Sequence, residues 1–177
     1  MSTYEHMHNL HLNFSEQLES SKSKNISAYF TPLSWMNFIV PVTKNDTNEL
    51  LEVKDSHVMI SGKEPIQMKP VDQDFFQKII SNKIREINAC EIHFSIPQTD
   101  ENVFLFSSIK NFRGILLIKV PNSDIDFFQM GSEGMPLNFK NMHLDYSVEE
   151  FRISVGSSFP YIPVYTYTGC FPIPEAV

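Results

Sequence analysis

Apolar residues recur along this chain in two rhythms, one of about 3.6 residues and one of two, and the changes between them predict two helices and about eight strands. Tyr4, Met7, His11, Phe14 and Leu18 fall on one face at helical spacing. Ser2 followed by Glu5 has the form of a capping box, so a first helix is expected over about 3–19. Asp72 is placed as the N-cap of a second helix over about 73–88, whose stripe of Phe76, Ile79, Ile80, Lys83, Ile84 and Ile87 is the clearest amphipathic pattern in the chain.

The remaining pattern is strand-like. Residues 26–42 are aromatic and β-branched, broken by Pro32 and ended by Pro41, which predicts a strand near 35–40 with an irregular lead-in. Segments 50–54 and 57–61 are expected to pair as a hairpin across Lys54, Asp55 and Ser56. Cys90, Ile92, Phe94 and Ile96 alternate with Glu91, His93 and Ser95, the signature of a strand with one wet face. The polar run QTDEN then reads as the tip of a hairpin that returns through Val103–Phe106. Gly114–Val120 is apolar enough to be a central strand buried on both faces. Further strands are expected at 125–130 and 150–155, while 135–149 follows neither rhythm. Four prolines and five aromatics over 159–174 predict a C-terminal strap, 159–177, with an edge strand around Tyr165–Tyr167. Helices and hairpin-linked strands together predict one α+β domain over 1–177, an antiparallel or mixed sheet with two main helices packed on it.

Composition narrows the function. A chain of 177 residues with 42% hydrophobic and 20% charged residues is long enough for one cored domain. Two cysteines make no disulfide framework, the N-terminal run lacks the features of an export signal, and the longest apolar runs fall far short of the roughly 20 residues that cross a bilayer. A cytoplasmic protein without a membrane partner is the expectation. A net charge of −7 disfavours nucleic acid, whose phosphates are held by Lys and Arg, and favours a cationic partner. The charge is concentrated: residues 121–151 carry Asp124, Asp126, Glu133, Asp145, Glu149 and Glu150 against Lys140 alone.

Candidate chemistry is sparse. His8 and His11 stand three apart on the first predicted helix with His6 pointing elsewhere, a set without the third and fourth ligands of a zinc centre, so no metal is expected. Three histidines have a carboxylate two residues away: His57 with Asp55, His93 with Glu91, and His143 with Asp145. Such a carboxylate orients an imidazole for acid–base work, yet neighbours of this kind are common on a wet sheet face, and no catalytic residue is assigned. Cys90 and Cys170 lack basic neighbours that would activate a thiol. The serine-elbow, phosphate-loop and dinucleotide motifs are all missing from the sequence, and no cofactor is expected.

A small acidic chain without catalytic apparatus, rich in Asn, Ile, Ser and Phe, resembles the bacterial immunity proteins that neutralise a cognate toxin, such as those of contact-dependent growth inhibition. The resemblance implies a non-enzymatic protein that blocks a cationic toxin domain, a nuclease above all, by presenting carboxylates where nucleic acid would sit. Asp124, Asp126, Glu133, Asp145, Glu149 and Glu150 would form that face, with Tyr165 and Tyr167 as aromatic anchors. Two other readings stand beside it. A small hydrolase or transferase would use His93 with Glu91 or His143 with Asp145, and would need a concave pocket joining such a pair to other polar groups. An adaptor or phage regulatory protein would pair as a homodimer through the tail.

Overall fold

Alternating side chains on six strands send their apolar members to one interior, and the pairing of those strands closes on itself. The computed structural model describes residues 26–44, 46–47, 51–72, 74–76, 86–88, 91–109, 111–119, 127–145 and 149–172. In chain order these carry β1 (Ser27–Pro32), β2 (Met36–Phe38), β3 (Thr43–Lys44), β4 (Leu51–Val53), β5 (Val58–Met59), β6 (Ile66–Pro70), β7 (Glu86–Ile87), β8 (Glu91–Pro97), α1 (Asp100–Ile109), β9 (Arg113–Lys119), β10 (Phe127–Met130), β11 (Leu137–Asp145), β12 (Glu150–Ser157) and β13 (Ile162–Tyr167). Antiparallel pairings run β1–β6–β8–β12–β11–β9 and return from β9 to β1, a closed six-stranded barrel. Closure leaves these strands few free backbone edges.

Register keeps one face inward around the whole circuit. Ala28 and Phe30 pair with Met68 and Ile66 on one side and with Ile118 and Leu116 on the other. Ile92, Phe94 and Ile96 pair with Val155, Ile153 and Phe151. All of these are buried in one cluster, so the interior is packed with side chains, as a barrel this narrow requires. Gly114 is the inward residue where Phe30 and the Thr31 carbonyl come closest to β9.

A second layer covers the outside of β1, β9 and β10. From β9 the sheet branches through β10, β13, β4 and β3, reaching eleven strands with β7 attached to β13. Leu117, facing out from β9, packs under Val40, Val53, Phe127, Tyr165 and Tyr167, and Ile115 packs under Met36 and Met59 of the small β2–β5 sheet. Strand β9 is therefore buried on both faces, as its continuous apolar run predicts.

The expected α+β architecture is corrected by this topology: the described chain is mainly β, with one large mixed sheet rather than a sheet under two helices. The first expected helix, 3–19, lies outside the described residues. Of the second, 74–76 are helical, but Glu86 and Ile87 form β7 against Pro163 and Ile162, so the helix does not extend to 88. Residues 103–106 are helical, not the return of a hairpin. The reason is local: Thr99 caps α1 by accepting the Asn102 N–H on its Oγ1 at 3.1 Å, and Asp100 and Glu101 complement the positive end of the helix. Helix α1 sends Phe106 into the barrel interior, 5.4 Å from the Phe139 ring.

The 50–61 hairpin does not form either: β4 pairs with β3 and runs parallel to β13, while β5 pairs with β2. The expected irregular lead-in is β1, a barrel strand. The expected edge strap is β13, which sits between β10 and β4 inside the sheet. Among the described residues no helix is long and apolar enough to cross a membrane.

Candidate ligand cleft

Opposite the covered wall, the outer faces of β8, β12 and β11 carry polar side chains. Arg152 on β12 stands directly across from Ser95 on β8 and from His143 on β11, and the next pair along places His93 across from Ser154. A β-bulge makes this arrangement possible. Leu137 and Phe139 face the interior, and unbroken alternation would turn residue 143 inward with them. The register instead shifts between Phe139 and Asn141, so that Met142 pairs with Ile153 and His143 pairs with Arg152 on the outer face. The Asn141 N–H, freed from the regular ladder, donates to Ser154 Oγ at 3.1 Å.

One end of this wall is concave. Beyond the β6–β8 ladder the Val71 N–H donates to the His93 carbonyl at 3.1 Å, which carries the chain alongside β8. Asp72 then turns it by accepting the Phe75 N–H on Oδ1 at 3.0 Å. Phe75 and Phe76 follow edge to face, with centroids 5.5 Å apart, and Phe76 continues onto Phe94 of the barrel interior at 5.7 Å. Between this turn and the sheet lies a cleft of about 510 Å³ lined by Val71, Asp72, Phe75, Phe76, Glu91, Ile92, His93, His143 and Arg152. Its size and its apolar floor with a few polar groups are those of small-molecule sites.

Of the three histidine–carboxylate pairs, Glu91 with His93 lines the cleft, and His143 joins them from two strands away. Asp145 pairs with Glu150 in the backbone ladder, and its side chain lies outside the described set. His57 is elsewhere, buried in the second layer and separated in role from Asp55, whose carboxylate turns to the Ser56 N–H at 2.7 Å. The Val40 N–H donates to His57 Nδ1 at 3.0 Å, so the neutral ring carries its proton on Nε2 and donates it to Gln129 Oε1 at 2.7 Å. Gln129 is held the right way round because its amide nitrogen donates to the Gly131 carbonyl. The Tyr167 hydroxyl accepts from the His57 N–H and donates to the Cys170 carbonyl, and burial pushes its pKa up to about 12.

Of the expected acidic face, the described residues place Glu133 apart from Glu149 and Glu150 along β11. Asp124 and Asp126 lie outside the described residues. Glu133 precedes β11, whose start pairs with Ser157, whereas Glu149 and Glu150 follow its far end. Eight residues of strand, about 26 Å, separate the two groups. Tyr165 and Tyr167 are buried in the second layer, 6% and 0% exposed, and so are not surface anchors. The histidines of the first predicted helix and Cys90 also lie outside the described residues, and among those described no three metal-ligating side chains converge.

Arg152 escaped the sequence reading, although Glu150, Arg152 and Ser154 alternate there with Phe151, Ile153 and Val155 as a wet face does. Comparison of the chain with protein-family models, characterised proteins and solved structures gives no match.

Proposed function

We propose that this protein binds a small organic ligand in the cleft between the Val71–Phe76 turn and the β8–β12–β11 wall. The observation that carries the reading is one concave site with apolar lining that Glu91, His93, His143 and Arg152 also border. Imidazoles in contact with a ligand can exchange protons with it, which is what the hydrolase or transferase reading needs. The lining places these groups beside apolar surface without showing a substrate's position, and the reading stops at binding.

A fragment library followed by ligand-observed NMR tests it. Val71 is 41% exposed, so Val71→Trp should fill the cleft while leaving the melting temperature within a few degrees. Hits on the wild type should weaken by about tenfold or more in that variant. Hits that persist unchanged, or a wild type that binds no fragment at millimolar concentration, would remove the cleft from consideration.

A second reading, neutralisation of a cationic toxin, draws support from the turn before β12. Glu149 sits in the left-handed region with φ 53°, a conformation that costs an ordinary residue roughly 1–2 kcal/mol and that Gly or Asn would adopt more easily. Its carbonyl accepts the Gln98 N–H, which brings the turn beside the acidic start of α1 at Asp100 and Glu101. Association with a basic partner that slows as salt rises supports this reading, and indifference to salt removes it.

A further inference from the structure

We infer that the ligand of the cleft is an organic cation with an apolar body, an inference that rests on the cleft being a binding site. Two carboxylates border the cleft against one guanidinium. The carboxylates stand at the same end. The β6–β8 register sets Lys69 beside Ser95 and Pro70 beside Phe94, and the Val71 N–H bond to the His93 carbonyl carries that register one residue farther. Asp72, the next residue, therefore reaches the cleft at the end where Glu91 begins β8. Its Oδ1 accepts the Phe75 N–H, a bond that orients the carboxylate without neutralising it and ties the acid to the turn that presents Phe75. An aromatic ring beside carboxylates suits an ammonium group, because the ring face attracts a cation and the carboxylates accept its N–H bonds.

The rest of the lining permits this placement. Arg152 pairs with Ser95, whereas Glu91 pairs with Gly156, so the backbone positions of the guanidinium and of Glu91 differ by four residues of strand, about 13 Å. That exceeds the roughly 8 Å over which exposed charges act on each other at physiological salt. Arg152 is also engaged within the protein, and an ammonium at the Glu91 end needs none of its donors. His93 lies two residues from Glu91 on the same strand face, and a neutral imidazole has one acceptor nitrogen to offer an ammonium. The body of the ligand then lies on Val71, which is 41% exposed, and on the part of Phe75 left open. An anion in this place would face both carboxylates. The net charge of −7 adds a long-range field that draws cations and repels anions.

Three probes that share one body and differ in one group decide the matter: 4-phenylbutylamine, 4-phenylbutan-1-ol and 4-phenylbutyrate, titrated into the full chain by calorimetry at about pH 8, where a primary amine is charged and an ordinary imidazole is not. The amine should bind about fivefold more tightly than the alcohol, with the acid weakest, as expected of a partly exposed carboxylate contact aided by a ring. Glu91→Gln keeps the size of the side chain and should bring the amine down to the alcohol while leaving the alcohol unchanged. Glu133→Gln removes the same charge from an exposed position outside the cleft and should change neither, which separates the site from a general attraction of cations to an acidic protein. Should Glu91→Gln fold poorly, the wild type supplies a second measurement: raising NaCl from about 20 to about 500 mM should at least halve the amine's advantage and spare the alcohol. Equal affinity for amine and alcohol, preference for the acid, or an amine advantage that survives Glu91→Gln or high salt overturns the cation assignment while leaving the cleft a binding site. An advantage lost equally in Glu133→Gln does the same. If neither these probes nor any fragment of the library occupies the cleft, both the assignment and the binding proposal fall.

Discussion

Gly114→Ala should destabilise the protein by about 2–3 kcal/mol, an overpacking cost in a closed barrel that has no room to open. A Cβ at this position would overlap the Thr31 carbonyl oxygen and come within 2.6 Å of Phe30 Cζ. Neither neighbour can step aside. Thr31 is held in β1 by its ladder to β9, and Phe30 is fully buried with its ring 4.5 Å from Phe139. A chain of this size loses about 2–4 °C of melting temperature per kcal/mol, so thermal denaturation should show a drop of roughly 5–10 °C. Gly134→Ala is the internal control, because a Cβ there meets nothing within 4 Å and the variant should melt within about 1–2 °C of the wild type. Wild-type stability in the single variant would mean that β1 and β9 are not packed as described.

Substitution of His57 should reveal an acid-sensitive lock on the second layer. Its imidazole is almost wholly buried, accepts from the Val40 N–H, donates to Gln129 and lies 5.2 Å from the Tyr167 ring. Burial pushes its pKa below the ordinary value, with the Gln129 hydrogen bond opposing. A histidine depressed in the folded state contributes stability that is complete above the unfolded value of about 6.5 and is lost as the pH falls toward the folded one. Protonation would also place a hydrogen on Nδ1, where the Val40 N–H now donates. Denaturant unfolding should therefore show a stability that falls below pH 6.5 by up to about 1.4 kcal/mol per pH unit for this one proton. His57→Gln can still accept from Val40 and donate to Gln129 without titrating, and should lose that share of the slope. His57→Ala leaves both partners unsatisfied and should cost about 3 kcal/mol at neutral pH. Equal pH slopes in the wild type and His57→Gln would show that the imidazole is not the sensor.

Local rhythm made some elements legible and hid others for specific reasons. The alternation from Cys90 to Ile96 and the apolar run Gly114–Val120 mark β8 and β9 because each pattern is short, unbroken and matched to its burial. The run QTDEN read as a hairpin tip because it is short and polar, but Thr99 with two following acids starts a helix there. Residues 135–149 followed neither period because the bulge near Lys140 reverses the inside–outside phase in mid-strand. Barrel closure depends on β1 meeting β9 across more than eighty residues, which no local window contains. The site was half visible for the same reason. Glu91 and His93 share a strand face and read as a pair, but Arg152 and His143 reach them only through the pairing of β8, β12 and β11. Nearness along the chain is likewise a poor guide for Glu133 and Glu149, which flank opposite ends of one long strand.

The most direct test of the cleft uses the imidazoles themselves as reporters. In protein labelled at histidine Cε1, NMR titration with the tightest-binding fragment should move the His93 and His143 resonances together along one saturation curve, while His57, behind the barrel wall in the second layer, stays fixed. Saturable binding that leaves His93 and His143 unmoved, with the shifts falling instead on the Glu149–Glu150 turn or the second layer, would contradict the account.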